Sequence, residues 1–179
     1  MNDQIVIEPY HPKWPKMAHA EIERINSEIS DSNIIAVQHV GSTSIPNCQA
    51  KPIIDIYVAV QSIGRAKKHL VEPITQMGYV YWAENPNPEK MFFVKGMPPY
   101  GEKRTHHMHI VQFNSAYWRD CIAFRDYLRM HPEEAKAYSE LKIDLAAKYL
   151  DDREAYSDAK GEFVSGILRS AGIQEPGGR

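Results

Sequence analysis

The stretch KPIIDIYVAV, residues 51–60, limits the folds open to this chain more than any other. Side chains alternate along a strand, and here both alternating sets are largely apolar. A run apolar on both faces belongs in the middle of a sheet. The exception is Asp55, set among Ile53, Ile54 and Ile56. A carboxylate is costly to bury unless it is paired, hydrogen-bonded or bound to a metal. Asp55 is therefore either a structural acid matched with Lys51 or an arginine, or part of a site.

The flanking sequence places other elements around this strand. QIVI at 4–7 reads as a short strand, and EPYHPKWP is a proline-punctuated turn. Ala18, Ile22, Ile25 and Ile29 recur at helical spacing over 15–30. IIAVQHV, 34–40, is a β-branched strand running into Gly41, and 42–51 is turn-like. A helix is expected over 62–77, bent or ended by Pro73, with Gly78 as its C-cap. GYVYW is a strand and AENPNPEK a loop. MFFVKG (91–96) and THHMHIVQF (105–113) form a hairpin-like strand pair.

Beyond residue 114 the pattern becomes helical. Tyr117, Cys121, Phe124 and Leu128 form one stripe, N-capped by Asn114 or Ser115. A second helix opens on Pro132 with two glutamates, and a last one covers roughly 153–170. The tail IQEPGGR is expected to fray. The whole reads as one domain over residues 1–179, an α+β fold with helices on one side of a mixed sheet and a helical C-terminal third.

The net charge of −2 argues against a nucleic-acid-binding surface. Cys48 and Cys121 lack metal-site spacing, and the chain is no disulfide scaffold. No signal peptide and no membrane-length apolar run is evident, so a cytoplasmic protein without membrane contact is expected.

Chemistry concentrates at strand ends. Gly41 after a strand lets backbone approach an anion, and Ser42, Thr43 and Ser44 add hydroxyls that cradle phosphate oxygens or simply cap a turn. Tyr57 shares a face with Asp55, but its phenol ionises near pH 10 and is no ordinary Mg²⁺ ligand. In HHMH, His107 and His109 point to one face and His106 to the other. With Asp55 they make a three-donor set for Zn²⁺, Mn²⁺ or Fe²⁺, an anion clamp or a general base. Lys51, Lys95 and Arg104 lie at strand ends where each could hold phosphate, and Arg125 lies on a helix, where a surface salt bridge is the simpler role.

Three blocks, HVGSTSIPNCQAKPIIDIYVAV, RTHHMHIV and FRDYLRMHPEEAKAYSELK, together resemble the GrpB family. The likeness runs from EPYHPKW to YSDAKGEFV. It implies a nucleotidyltransferase-superfamily fold similar to the palm of DNA polymerase beta, and some family members are fused to dephospho-coenzyme A kinase. Carried over, Gly41 and Ser42 would bind nucleotide phosphates and Asp55 would bind Mg²⁺. The superfamily's second aspartate falls on Tyr57, leaving the carboxylate set incomplete. Family sequences commonly read Val-Pro-Gly-Leu where this chain has Ile45-Pro46-Asn47-Cys48; asparagine tolerates positive φ, so the loop shape is expected to survive.

The resulting expectation is transfer of a nucleoside monophosphate from a nucleoside triphosphate to an unknown acceptor. Gly41, Ser42, Thr43, Ser44, Lys51 and Lys95 would hold phosphates. Asp55, helped by His107 or His109, would hold Mg²⁺ or Mn²⁺, with Zn²⁺ as an alternative, and Arg104 would stabilise developing charge. Two other readings stand beside it: a non-catalytic module for a nucleotide or phosphorylated metabolite, and a metal-dependent hydrolase using Asp55, His107 and His109.

Overall fold

The computed structural model of the protein describes residues 5–85 and 87–174. Five strands form one mixed sheet in the order β1-β2-β5-β4-β3. They are β1 (Ile34–Val40), β2 (Ile54–Val60), β3 (Tyr79–Tyr81), β4 (Lys90–Lys95) and β5 (His106–Gln112). β2 lies inside the sheet, antiparallel to β1 and parallel to β5, as its two apolar faces require. The β4–β5 pair is antiparallel, and β3 closes the edge against β4.

Helices cover both faces of the sheet, not one. Ile54, Ile56, Val58, Met108 and Ile110 point to one face and pack with Trp14, Ala18 and Ile25 of α1 (Lys13–Glu28). Ala66 of α2 (Ile63–His69) and Ile74 of α3 (Val71–Gln76) complete that layer. Ile54, Ile56, Met108 and Ile110 are fully buried, so truncating one to alanine should cost about 2–5 kcal/mol. The other face meets α4 (Ala116–Met130), which is backed by α5 (Pro132–Lys148), α6 (Arg153–Ala159) and α7 (Gly161–Ser170). Leu128, Ala135, Tyr138 and Ile167 build a second core there with Ile45 and Cys48. Both faces of β2 are apolar because both are covered.

Three local expectations change. The helix over 62–77 is two helices meeting at Leu70, with Pro73 in the first turn of the second, where its missing N–H is tolerated. The helix over 153–170 likewise divides at Lys160. Ile5–Ile7 form no strand: the Ile5 N–H donates to the Leu150 carbonyl at 3.1 Å, and only Glu8 bridges to Ala50. Gln4 of that stretch, and residues 175–179 of the tail, lie outside the described residues. Ser115 is the N-cap of α4, and Asn47 takes φ 60°, the conformation its glycine-like position calls for.

Candidate metal and phosphate site

The end of β1 and the starts of β2 and β5 come together at one edge of the sheet. In register, Val40 lies beside Asp55, Asp55 beside His107, and Tyr57 beside His109. The alternation that sends Ile54 and Ile56 into the α1 layer sends Asp55, Tyr57, His107 and His109 to the α4 face. One oxygen of Asp55 lies 3.2 Å from Nδ1 of His107. One ligand atom from each of Asp55, His107 and His109 falls within 4.8 Å of the others. Burial pushes His109 down to about 3, against the pull of Asp55, so its ring is neutral and keeps a lone pair. Burial raises the Asp55 carboxyl, but the His107 hydrogen bond and the charges around it, Lys51 among them, outweigh that and lower it. Nε2 of His107 and Nδ1 of His109 are buried without a hydrogen-bond partner among the described residues. Such orphaned atoms are rare in finished cores. Two neutral-capable nitrogens and one carboxylate suit a divalent transition ion.

Tyr57 adds no ligand. Burial pushes its phenol well above the usual range, and its O–H is directed to the Cys121 thiol. Its ring packs against His109, 5.1 Å between centroids.

Gly41 follows β1 at φ 69°, a backbone conformation that favours glycine. A Cβ there would sit 2.4 Å from Asp55 Oδ2. The turn and the carboxylate thus touch because position 41 has no side chain. Ser42–Ser44 continue as a single 3₁₀ turn. The Ser44 hydroxyl donates to the Gly41 carbonyl at 2.6 Å, and Thr43 is fully buried against His39 and the Ile53 carbonyl. Burial pushes His39 down to about 4. Arg125 does make an ion pair, with Asp126 at 2.7 Å, but it is 7% exposed and also donates to Gln38 and to the His39 carbonyl. Arg129 donates to the Ser44 carbonyl. These two arginines of α4 pin the turn from behind.

In front of the turn lies a cavity of about 300 Å³. Gly41, Ser42, Thr43, Lys51, Asp55 and His107 line one side. Tyr138 and Lys142 of α5, Tyr156 of α6 and Lys160 line the other. These C-terminal contributors were missed in the sequence, although Lys142 carries a signal: it interrupts the buried stripe Ala135, Tyr138, Ser139, Ala146 of α5.

Three expected residues lie elsewhere. Lys95 points to the α1 face, because it pairs in register with His106, and its ammonium bonds both oxygens of Glu21 at 2.8 Å. Arg104 lines a neighbouring cavity of about 430 Å³ with Trp82, Phe92 and Val94. Phe92 stands between that cavity and the histidines, 5.1 Å from His107 and 4.7 Å from His109 between ring centroids. The Ser44 hydroxyl is turned inward and lines no part of the cavity.

A family described as GrpB protein matches residues 4–170. A UPF0157 protein of Pseudomonas aeruginosa is 44% identical over 95% of this chain and 69% of its own length. The glutamate-rich protein GrpB of Alkalihalophilus pseudofirmus is 32% identical over 92% of this chain and 94% of its own. Among solved structures, the conserved protein GrpB from Enterococcus faecalis superposes with a TM-score of 0.80 at 34% identity, covering 93% of this chain and 96% of that one.

Proposed function

Since the chain belongs to the GrpB family, we propose that it is a metal-dependent nucleotidyltransferase, moving a nucleoside monophosphate from a nucleoside triphosphate to an acceptor. The observation that carries this reading is the contact between the Gly41 turn and Asp55, which sets a phosphate-type turn directly against a metal-capable donor set. Asp55, His107 and His109 would hold the ion. A bound divalent ion neutralises phosphate charge and acidifies a coordinated oxygen. Gly41 admits a phosphate close to the backbone, and the first amides of a short turn have no partner within it. Lys51 supplies positive charge from the segment before β2. His109 stands where a second aspartate is absent: Tyr57, held neutral, leaves that role to the residue beside it in register.

The donor set also favours a second reading. Two histidines and one carboxylate match the ligand chemistry of hydrolytic zinc sites. A thermal-shift titration separates the readings. ATP, GTP, CTP and UTP would be tested without metal and with Mg²⁺, Mn²⁺ or Zn²⁺, on wild type and Asp55→Asn. Nucleotidyl transfer predicts stabilisation that needs nucleotide and metal together, about 2.7 kcal/mol at a hundredfold excess over Kd, and is lost in Asp55→Asn. Stabilisation by Zn²⁺ alone favours hydrolysis. Metal-free nucleotide binding that survives Asp55→Asn contradicts both and leaves a binding module.

A further inference from the structure

The cavity in front of the Gly41 turn is lined by more than the metal-capable residues. Lys51, Lys142 and Lys160 line it from three separate segments, and Asp55 is the only carboxylate among its described lining residues. Lys142 is 2% exposed. A buried ammonium group carries a desolvation penalty of several kcal/mol unless charge or hydrogen bonds offset it. The contacts of Lys142 include no carboxylate: they are Cys48 Sγ at 3.2 Å, the Gln49 carbonyl, and the Tyr138 ring at 4.4 Å. Lys160 rests on the Tyr156 ring at 4.3 Å, and Lys51 rests on that same ring at 5.0 Å. Burial, with Lys51 and Lys142 close by, pushes Lys160 down to about 7. Three cations gathered with one acid are costly in an empty cavity and favourable around an anion.

Size and charge narrow the anion. A single phosphate brings a charge of about −2, less than the three lysines carry once a bound anion keeps Lys142 and Lys160, both lowered by burial, in their protonated form. A chain of two or three phosphates balances them within a cavity of about 300 Å³. Ammonium groups already sit over the Tyr138 and Tyr156 rings, so these tyrosines are poor platforms for a base.

We propose that Lys51, Lys142 and Lys160 form a polyphosphate subsite that holds the β- and γ-phosphates of the nucleotide, while the α-phosphate lies against Gly41, Ser42 and the ion that Asp55 would hold. This inference rests on the reading of the cavity as a phosphate site. In the transfer, the acceptor oxygen bonds the α-phosphorus and the bond from that phosphorus to the bridging oxygen breaks. Pyrophosphate leaves with the electron pair toward the lysines, and the acceptor's proton passes to water. The helical C-terminal part thereby becomes half of the binding site rather than a support for the sheet.

The test is calorimetric titration of the full chain with inorganic triphosphate, pyrophosphate and orthophosphate, with a chelator present so that no metal contributes. Wild type, Lys160→Met, Lys142→Met, Lys160→Arg and Asp55→Asn would be compared, each checked for folding by circular dichroism. Triphosphate should bind at least about tenfold more tightly than orthophosphate. Each methionine variant should lose about tenfold or more of that affinity, while Lys160→Arg should stay within about threefold of wild type. Asp55→Asn should bind triphosphate at least as well as wild type, because a negative charge is removed. Equal affinity for triphosphate and orthophosphate overturns the subsite, as does triphosphate affinity unchanged in folded Lys160→Met and Lys142→Met. Lysine-dependent triphosphate binding in a protein that binds no metal at Asp55 upholds the subsite and sinks nucleotidyl transfer. Metal- and Asp55-dependent transfer with lysine-independent triphosphate binding does the reverse.

Discussion

Glu21 and Asp55 are both acids set among apolar side chains on opposite faces of one sheet, and they are partnered in different ways. Glu21, on α1, accepts two hydrogen bonds from Lys95 and one from the Tyr79 hydroxyl. Burial raises its carboxyl, but the Lys95 bond and charge more than offset that and lower it. Asp55 has His107 on one side and a glycine's bare backbone on the other, and it opens onto a basic cavity. Nε2 of His107 and Nδ1 of His109 beside it have no hydrogen-bond partner among the described residues; Nε2 of His106 on the Glu21 side is orphaned as well, but the Glu21 carboxylate itself takes hydrogen bonds from Lys95 and Tyr79. A buried charge whose bonds are complete holds the fold together; one whose surroundings remain incomplete is placed for a ligand.

The comparison breaks most sharply at Lys95. Lys95→Met should destabilise the protein by about 3 kcal/mol, because it leaves Glu21 buried and unpaired, while metal binding at Asp55 is unchanged. Urea unfolding and a metal titration on the same variant check both halves. Lost metal binding would show that the two clusters are one system.

The sequence conveyed parity but not register. Alternation along 105–113 was enough to pair His107 with His109 and to separate His106. It could not show that β2 and β5 are parallel neighbours, the long-range pairing that brings Asp55 to His107. Lys95 was assigned to phosphate because it ends a strand; its side of the sheet depends on pairing with His106. Lys142, in α5, and Lys160, at the junction of α6 and α7, lie 101 and 119 residues after Gly41, and only tertiary packing brings them to the cavity. Arg125 was legible as helical but not as buried, because its partners, Gln38 and the His39 carbonyl, lie on β1.

Gly41→Ala sharpens the contrast next. The added methyl would meet Asp55 Oδ2 at a positive φ, so a loss of about 1–3 kcal/mol is expected, with weaker metal binding as the carboxylate is displaced. A melting curve and a Mn²⁺ titration read both; a variant unchanged in both would remove the contact on which the site reading depends.

His109→Phe should behave oppositely. Its ring is neutral and packed between Tyr57 and Phe92, so stability should change by less than about 1.5 kcal/mol. Metal affinity should fall by about tenfold or more. A large loss of stability with metal binding intact would recast His109 as a structural residue like Glu21.

The smallest effect is in pH. Lys160 sits at about 7 in the fold against an ordinary 10.5, with Lys51, Lys142 and Asp55 as the charged groups acting on it. Between those values the unfolded chain binds more protons, so this residue's contribution to stability rises with pH across that window and is least favourable below it. Relative to Lys160→Met, wild type should gain thermal stability between about pH 6.5 and about pH 9.5. A difference that stays flat would mean Lys160 keeps its proton throughout.

That the Asp55 carboxylate takes a metal ion as its partner, where Glu21 already has Lys95 and Tyr79, is checked by equilibrium dialysis against Mn²⁺ and Zn²⁺ on wild type, Asp55→Asn and Lys95→Met. The account predicts metal bound at about one ion per chain by wild type and Lys95→Met, and none at that site in Asp55→Asn. Wild type that binds no metal, or Asp55→Asn that binds it as well as wild type, would contradict the account.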